Sequence, residues 1–161
     1  MSATFDGLLL TLSAACQRHY GSRLVALAVY GSVGRGTPRS TSDIDVVLVV
    51  ESLPDGRIAR VEEFAEIERM MAAPLAEARA QGVQTEVSPV FKTPAELAAG
   101  SPLLLDMTQD ARILVDRGEL EQALTSLRTR LAAQGARRVV RGNAWFWDLK
   151  PDYRPGDTFT L

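Results

Sequence analysis

Tyr30-Gly31-Ser32-Val33-Gly34-Arg35-Gly36-Thr37-Pro38-Arg39-Ser40-Thr41-Ser42-Asp43-Ile44-Asp45 joins two short apolar runs. Upstream, Leu24-Val25-Ala26-Leu27-Ala28-Val29-Tyr30 is bounded by glycine and reads as a buried strand. Downstream, Ile44-Asp45-Val46-Val47-Leu48-Val49-Val50 is rich in β-branched residues and reads as a second. The connection itself is polar and glycine-rich, so two buried strands are linked by a loop suited to a ligand.

Each end of that loop has its own chemistry. At its start, glycine lets the backbone approach a ligand closely and adopt torsion angles closed to other residues. A short helix beginning at Ser32 would turn free backbone N–H groups toward an anion. The Ser32 hydroxyl and the Arg35 guanidinium would add donors to the same phosphates. At its end, Asp43 and Asp45 stand two apart on a strand, so both carboxylates share one face. A carboxylate inside an apolar run is costly without a partner. A divalent cation between the two removes their repulsion and favours both being ionised. Mg²⁺ is typically held by one or two carboxylates plus substrate phosphates. Two such ions, about 3.5–4 Å apart, would serve both oxygens of a phosphoryl displacement.

Working outward, Phe5, Leu8, Leu9, Leu12, Ala15 and Cys16 recur at helical spacing and predict an opening helix closed near Gly21. Val61, Phe64, Ile67, Met71, Leu75 and Ala78 predict a long helix that Pro74 should kink or split. Residues 83–91 read as a third strand. Thr93-Pro94-Ala95-Glu96 is a helix start, residues 103–110 a further short helix, and Ile113-Leu114-Val115 a short strand. Leu120, Leu124, Leu127 and Leu131 mark a last helix closed by Gly135. The alternation predicts an α/β (α+β) domain with a small mixed β-sheet and helices packed on one face. Residues 1–141 form that domain, and the aromatic stretch 142–161 is expected to pack on it through Trp145, Phe146 and Trp147. Arg128, Arg130, Arg137, Arg138 and Arg141 read as cations at a helix end.

A two-metal site usually has a third carboxylate, able to take a proton from an attacking hydroxyl. Glu86 is the only acidic residue inside the third expected strand, which makes it the candidate. Gly31-Ser32, ten intervening residues and Asp43-Ile44-Asp45 together resemble the signature of the DNA polymerase beta-like nucleotidyltransferase superfamily. The small size resembles its minimal nucleotidyltransferase branch. The resemblance implies transfer of a nucleoside monophosphate, usually AMP from ATP, to an acceptor hydroxyl with release of pyrophosphate. It implies that Gly31 and Ser32 contact the triphosphate, Asp43 and Asp45 hold Mg²⁺ or Mn²⁺, and Glu86 serves the acceptor side. Many relatives have Asp at the third position, where this chain has Glu. In the minimal branch the resemblance further implies pairing with a helical ribonuclease toxin whose tyrosine hydroxyl is adenylylated.

Bulk composition narrows the partners. The chain has 161 residues, 46% hydrophobic and 24% charged, enough for one domain with a real core. A formal charge of −2 argues against gripping long nucleic acid, which needs a basic face. One cysteine and one histidine exclude an internal disulfide and a His-rich metal site. These features, with no signal-peptide pattern and no spanning apolar run, place the expectation in the cytoplasm. A nucleoside triphosphate, a small helical protein and a second copy of the chain are the partners left open.

Overall fold

The computed structural model describes residues 2–142 and 144–154; residues 1, 143 and 155–161, including the end of the stretch read as an aromatic tail, lie outside the described residues. The chain opens with α1 (Ser2–Tyr20), whose Phe5, Leu8, Leu9, Leu12, Ala15 and Cys16 are all buried. Burial pushes the Cys16 thiol up to about 12, so it is an inert core group. A tight turn at Gly21–Arg23 leads into β1 (Leu24–Val29), then α2 (Gly31–Gly34) and β2 (Ile44–Val50). There follow α3 (Arg57–Ala80), β3 (Val87–Lys92), α4 (Pro94–Ala98), α5 (Pro102–Asp110), β4 (Arg112–Asp116) and α6 (Glu119–Ala133). The described chain closes with β5 (Arg137–Arg141) and β6 (Ala144–Asp148).

Four strands form one sheet in the order β3-β2-β1-β4. β1 runs antiparallel to β2 and β4, and β2 runs parallel to β3. The parallel pair needs a long crossover, and α3 supplies it. This is the small mixed sheet expected from the sequence.

The helices do not lie on one face, as the sequence reading expected. Leu27, Val29, Val46, Leu48 and Val50 pack with α1 and α3 on one side. Val25, Ala26, Ala28, Val47 and Val49 pack with α4, α5 and α6 on the other. The physical reason is the unbroken apolar run. Every residue of β1 is buried, and in β2 only Asp45 is not fully so. A strand without polar alternation must be covered on both faces.

Three other expectations shift. Pro74 does not split α3, which is helical from Arg57 to Ala80. Phe64, Ile67, Met71 and Ala78 are 2% exposed or less, and this packing offsets the lost backbone bond. The third strand begins at Val87 rather than 83, because the Val83 N–H goes to the Ala78 carbonyl and the Gln84 N–H to that of Ser40. Arg137, Arg138 and Arg141 belong to a hairpin with β6, not to a helix end. That hairpin crosses the expected boundary after residue 141. Its Trp147 packs against the α5/α6 core and donates from Nε1 to Asp106 at 3.2 Å. Among the described residues, no helix is long and apolar enough to cross a membrane.

Candidate active site

β1 hands the chain to α2 through Tyr30, whose N–H donates to the Asp45 carbonyl at 3.0 Å. The loop is thereby anchored beside the second strand's carboxylate. Gly31 has φ +67°, a left-handed conformation that favours glycine. The first return bond of the helical turn runs from the Gly34 N–H to the Tyr30 carbonyl at 3.2 Å. The N–H groups of residues 31–33 therefore have no acceptor within the turn.

The two inner glycines are required for different reasons. A Cβ on Gly31 would stand 2.8 Å from Asp45 Oδ2, so the glycine turn and the carboxylate abut. A Cβ on Gly34 would stand 2.4 Å from the Asp110 carbonyl oxygen and 2.8 Å from that of Val29. Gly34 is a residue the sequence reading did not single out. Its only signal is its spacing from Gly31, since nothing local announces that the end of α5 arrives there.

Asp45 is half-buried within β2, and Asp43 is exposed one residue before it. Burial first, and the neighbouring Asp43 second, push the Asp45 carboxyl above its ordinary value. Among the described residues neither carboxylate has a salt bridge or a side-chain hydrogen bond, so two anions share a site without a protein cation. Tyr30 flanks them, and burial, Asp45 and Asp106 together raise its hydroxyl. A half-buried carboxylate pressed against a glycine turn, with a second beside it, fits a divalent cation shared with phosphate oxygens.

The other expected residues are placed less directly. Ser32 lies in the turn, half-exposed, and its carbonyl accepts the Thr37 N–H at 2.9 Å. Arg35 is committed to Asp110, its Nη1 donating at 2.7 Å. Glu86 is not inside a strand. It is exposed, just ahead of β3, and its carbonyl accepts the Ile44 N–H at 2.8 Å. Among the described residues no group of three or more His, Cys, Asp or Glu stands together as a metal site. Glu86 is thus not gathered with the aspartate pair into one cluster. The parallel register instead sets Ser88 opposite Asp45, a neighbour that sequence alone cannot give because register is not local.

Residues 10–115 match the model of the nucleotidyltransferase domain family. The chain belongs to that family. A Methanocaldococcus jannaschii protein named "Putative protein adenylyltransferase MJ1305" is 28% identical over 104 residues, which cover 63% of this chain. The match spans 65% of that relative's length, just under two thirds. The chain is also similar to a crystallised toxin-antitoxin MntA-HpeT mutant, at 20% identity and a TM-score of 0.48, over 80% of this chain and 89% of that one. A Sulfolobus solfataricus structure titled as that of "a putative nucleotidyltransferase" is 15% identical with a TM-score of 0.38, over 73% and 89% of the two chains.

Proposed function

We propose that this nucleotidyltransferase-family chain transfers a nucleoside monophosphate, AMP from ATP, to a hydroxyl group on a protein or small molecule. The observation that carries the reading is how closely Gly31 abuts Asp45: a Cβ added at Gly31 would stand 2.8 Å from Asp45 Oδ2. It sets an anion-binding turn against a carboxylate that has no protein cation. The relative named as a protein adenylyltransferase supports AMP as the group transferred and protein as the acceptor.

In this reading the amides of residues 31–33 and the Ser32 hydroxyl bind the triphosphate. Asp43 and Asp45 hold Mg²⁺ or Mn²⁺, which when bound supplies charge stabilisation at the transferring phosphoryl group. Arg35 stands behind the turn as a further positive charge. The acceptor oxygen bonds to the α-phosphorus, the bond to the bridging oxygen breaks, and pyrophosphate leaves. Glu86 takes the acceptor's proton. Its exposed position, outside the aspartate pair, suits a group that meets an incoming acceptor.

The second reading is a binding partner of a small helical protein with weak catalysis. The open apolar cavity of about 800 Å³ between α4, α5 and α6 favours it, being large enough to seat side chains of another chain. The experiment that tests the first is incubation with α-labelled ATP, Mg²⁺ and cell extract. Label should pass to a discrete acceptor with wild type and not with Asp45→Asn. Absence of transfer, with ATP binding intact, turns the assignment to the binding partner.

A further inference from the structure

We propose that Asp110 is the positioning residue of the triphosphate turn, holding it from behind through Arg35 and coupling it to the β5–β6 hairpin through Arg138. This rests on the transferase reading above, because it assigns a role in that same site. Asp110 ends α5 and is only 6% exposed. A carboxylate at a helix C-terminus opposes the helix dipole, and burying it adds a desolvation cost. Two arginines offset both. Arg35 Nη1 donates to Oδ2 at 2.7 Å, and Arg138 Nη1 donates to Oδ1 at 3.2 Å. Arg138 is itself held by stacking over Trp145 at 3.9 Å and by a 3.4 Å contact to Gln109.

The backbone repeats the arrangement. The Asp110 carbonyl oxygen occupies the space that a Gly34 Cβ would need, at 2.4 Å. The last residue of α5 therefore touches the turn twice, once by carbonyl against Gly34 and once by carboxylate on Arg35. Gly34 and Gly31 belong to the same four-residue turn, and Gly31 faces Asp45. Displacing the Asp110 end moves the phosphate amides relative to the aspartate pair. Asp106, one helical turn back on α5, also feels Arg35 and Arg138, so two carboxylates face the two guanidiniums and the link acts by geometry rather than by net charge.

The test begins on the nucleotide-free protein and does not depend on activity. The bonded amides of Gly34, Arg35 and Gly36 report the turn by hydrogen exchange. Asp110→Asn keeps the volume and removes the charge. Its turn amides should exchange about tenfold faster or more, while the amides of β1 and β2 change little. KM for ATP should rise about tenfold, with kcat within about threefold, because binding geometry is lost and the reacting groups remain. Should Asp110→Asn fail to fold, Arg35→Gln cuts the same link from the exposed side, leaves Asp110 matched by Arg138, and should show the same fast exchange. Unchanged turn exchange in the folded variants overturns the proposal. Faster exchange with unaltered KM overturns its functional half while leaving the transferase reading standing. A wild type that neither binds nor turns over any triphosphate overturns the transferase reading, and the positioning role falls with it.

Discussion

Gly31 and Gly34 differ by three positions, yet their alanine variants should fail in different ways. At Gly31 the added Cβ meets the end of a side chain, Asp45 Oδ2, and the backbone has φ +67°. The left-handed conformation costs an L-residue about 1–2 kcal/mol, and the carboxylate must swing aside. Gly31→Ala should fold with a modestly lower Tm and lose most of its ATP affinity by calorimetry. At Gly34 the Cβ meets two backbone carbonyls that cannot move freely. Gly34→Ala should lower the Tm more than Gly31→Ala; the reverse order would contradict the packing of α5 against the turn. Asp45 offers a test by pH. Its carboxyl is raised by burial and by Asp43, so on raising the pH the unfolded chain loses this proton before the folded one. Stability contributed by this group falls as pH climbs from the ordinary carboxylate value through the raised one. Without metal, Asp45→Asn should be more stable than wild type at neutral pH and equal to it in acid, by urea titration. A variant that is less stable at neutral pH would mean that Asp45 has a partner. For Glu86, Glu86→Gln should slow single-turnover transfer by roughly a hundredfold or more with ATP affinity nearly intact, if the residue is the base. Equal rates would remove it from the reaction. At this scale the Gly-Ser turn and the aspartate pair were legible because both are local patterns. Gly34 and the Arg35 bond to Asp110 were not, since each depends on a segment about 75 residues away in sequence.

Among the elements, α3 has the hardest task, because it both crosses between parallel strands and covers one face of the sheet. Phe64 on α3 is 0% exposed and meets Phe91 of β3 edge-to-face, with ring centroids 5.5 Å apart. Phe64→Ala should cost about 3–5 kcal/mol in chemical denaturation, combining lost transfer energy with a cavity. A loss under about 1 kcal/mol would mean that the site collapses to fill the gap. Most elements could be read from periodicity, because 3.6-residue and continuous apolar patterns are set by which side is buried. The capping box at Thr93 and Glu96 was readable too, and both of its reciprocal bonds form. The start of β3 was not, since residues 83–86 are strand-like in composition while their backbone bonds go to a helix and a loop. The hairpin was missed because five arginines suggested the cationic end of a helix, whereas Arg137, Arg138 and Arg141 lie beyond α6 and pair with the aromatic strand β6.

For the molecule as a whole, β1 and β2 are the shared wall of two cores; the expectation of helices on one face missed this, because it did not carry the unbroken apolar runs through to cover on both faces. The strand order β3-β2-β1-β4 was not readable, because nothing in the short run 112–116 says that it returns to the edge beside β1. The β5–β6 hairpin lies outside that sheet, and an isolated two-stranded ribbon is marginal at best in water. It should therefore stand or fall with the body. Both tryptophans, Trp145 and Trp147, lie on β6, so intrinsic fluorescence reports the hairpin while far-ultraviolet circular dichroism reports the helices. Trp147 packs into the α5/α6 core and bonds Asp106, and Arg138 bonds Asp110. When α5 is lost, the ribbon loses its contacts with both carboxylates of that helix. The two probes should then give one coincident unfolding transition in urea, with equal midpoints and slopes. An earlier fluorescence transition, with helicity still intact, would show that the hairpin is an appendage. Its coupling to the turn through Asp110 would then be too weak to position anything.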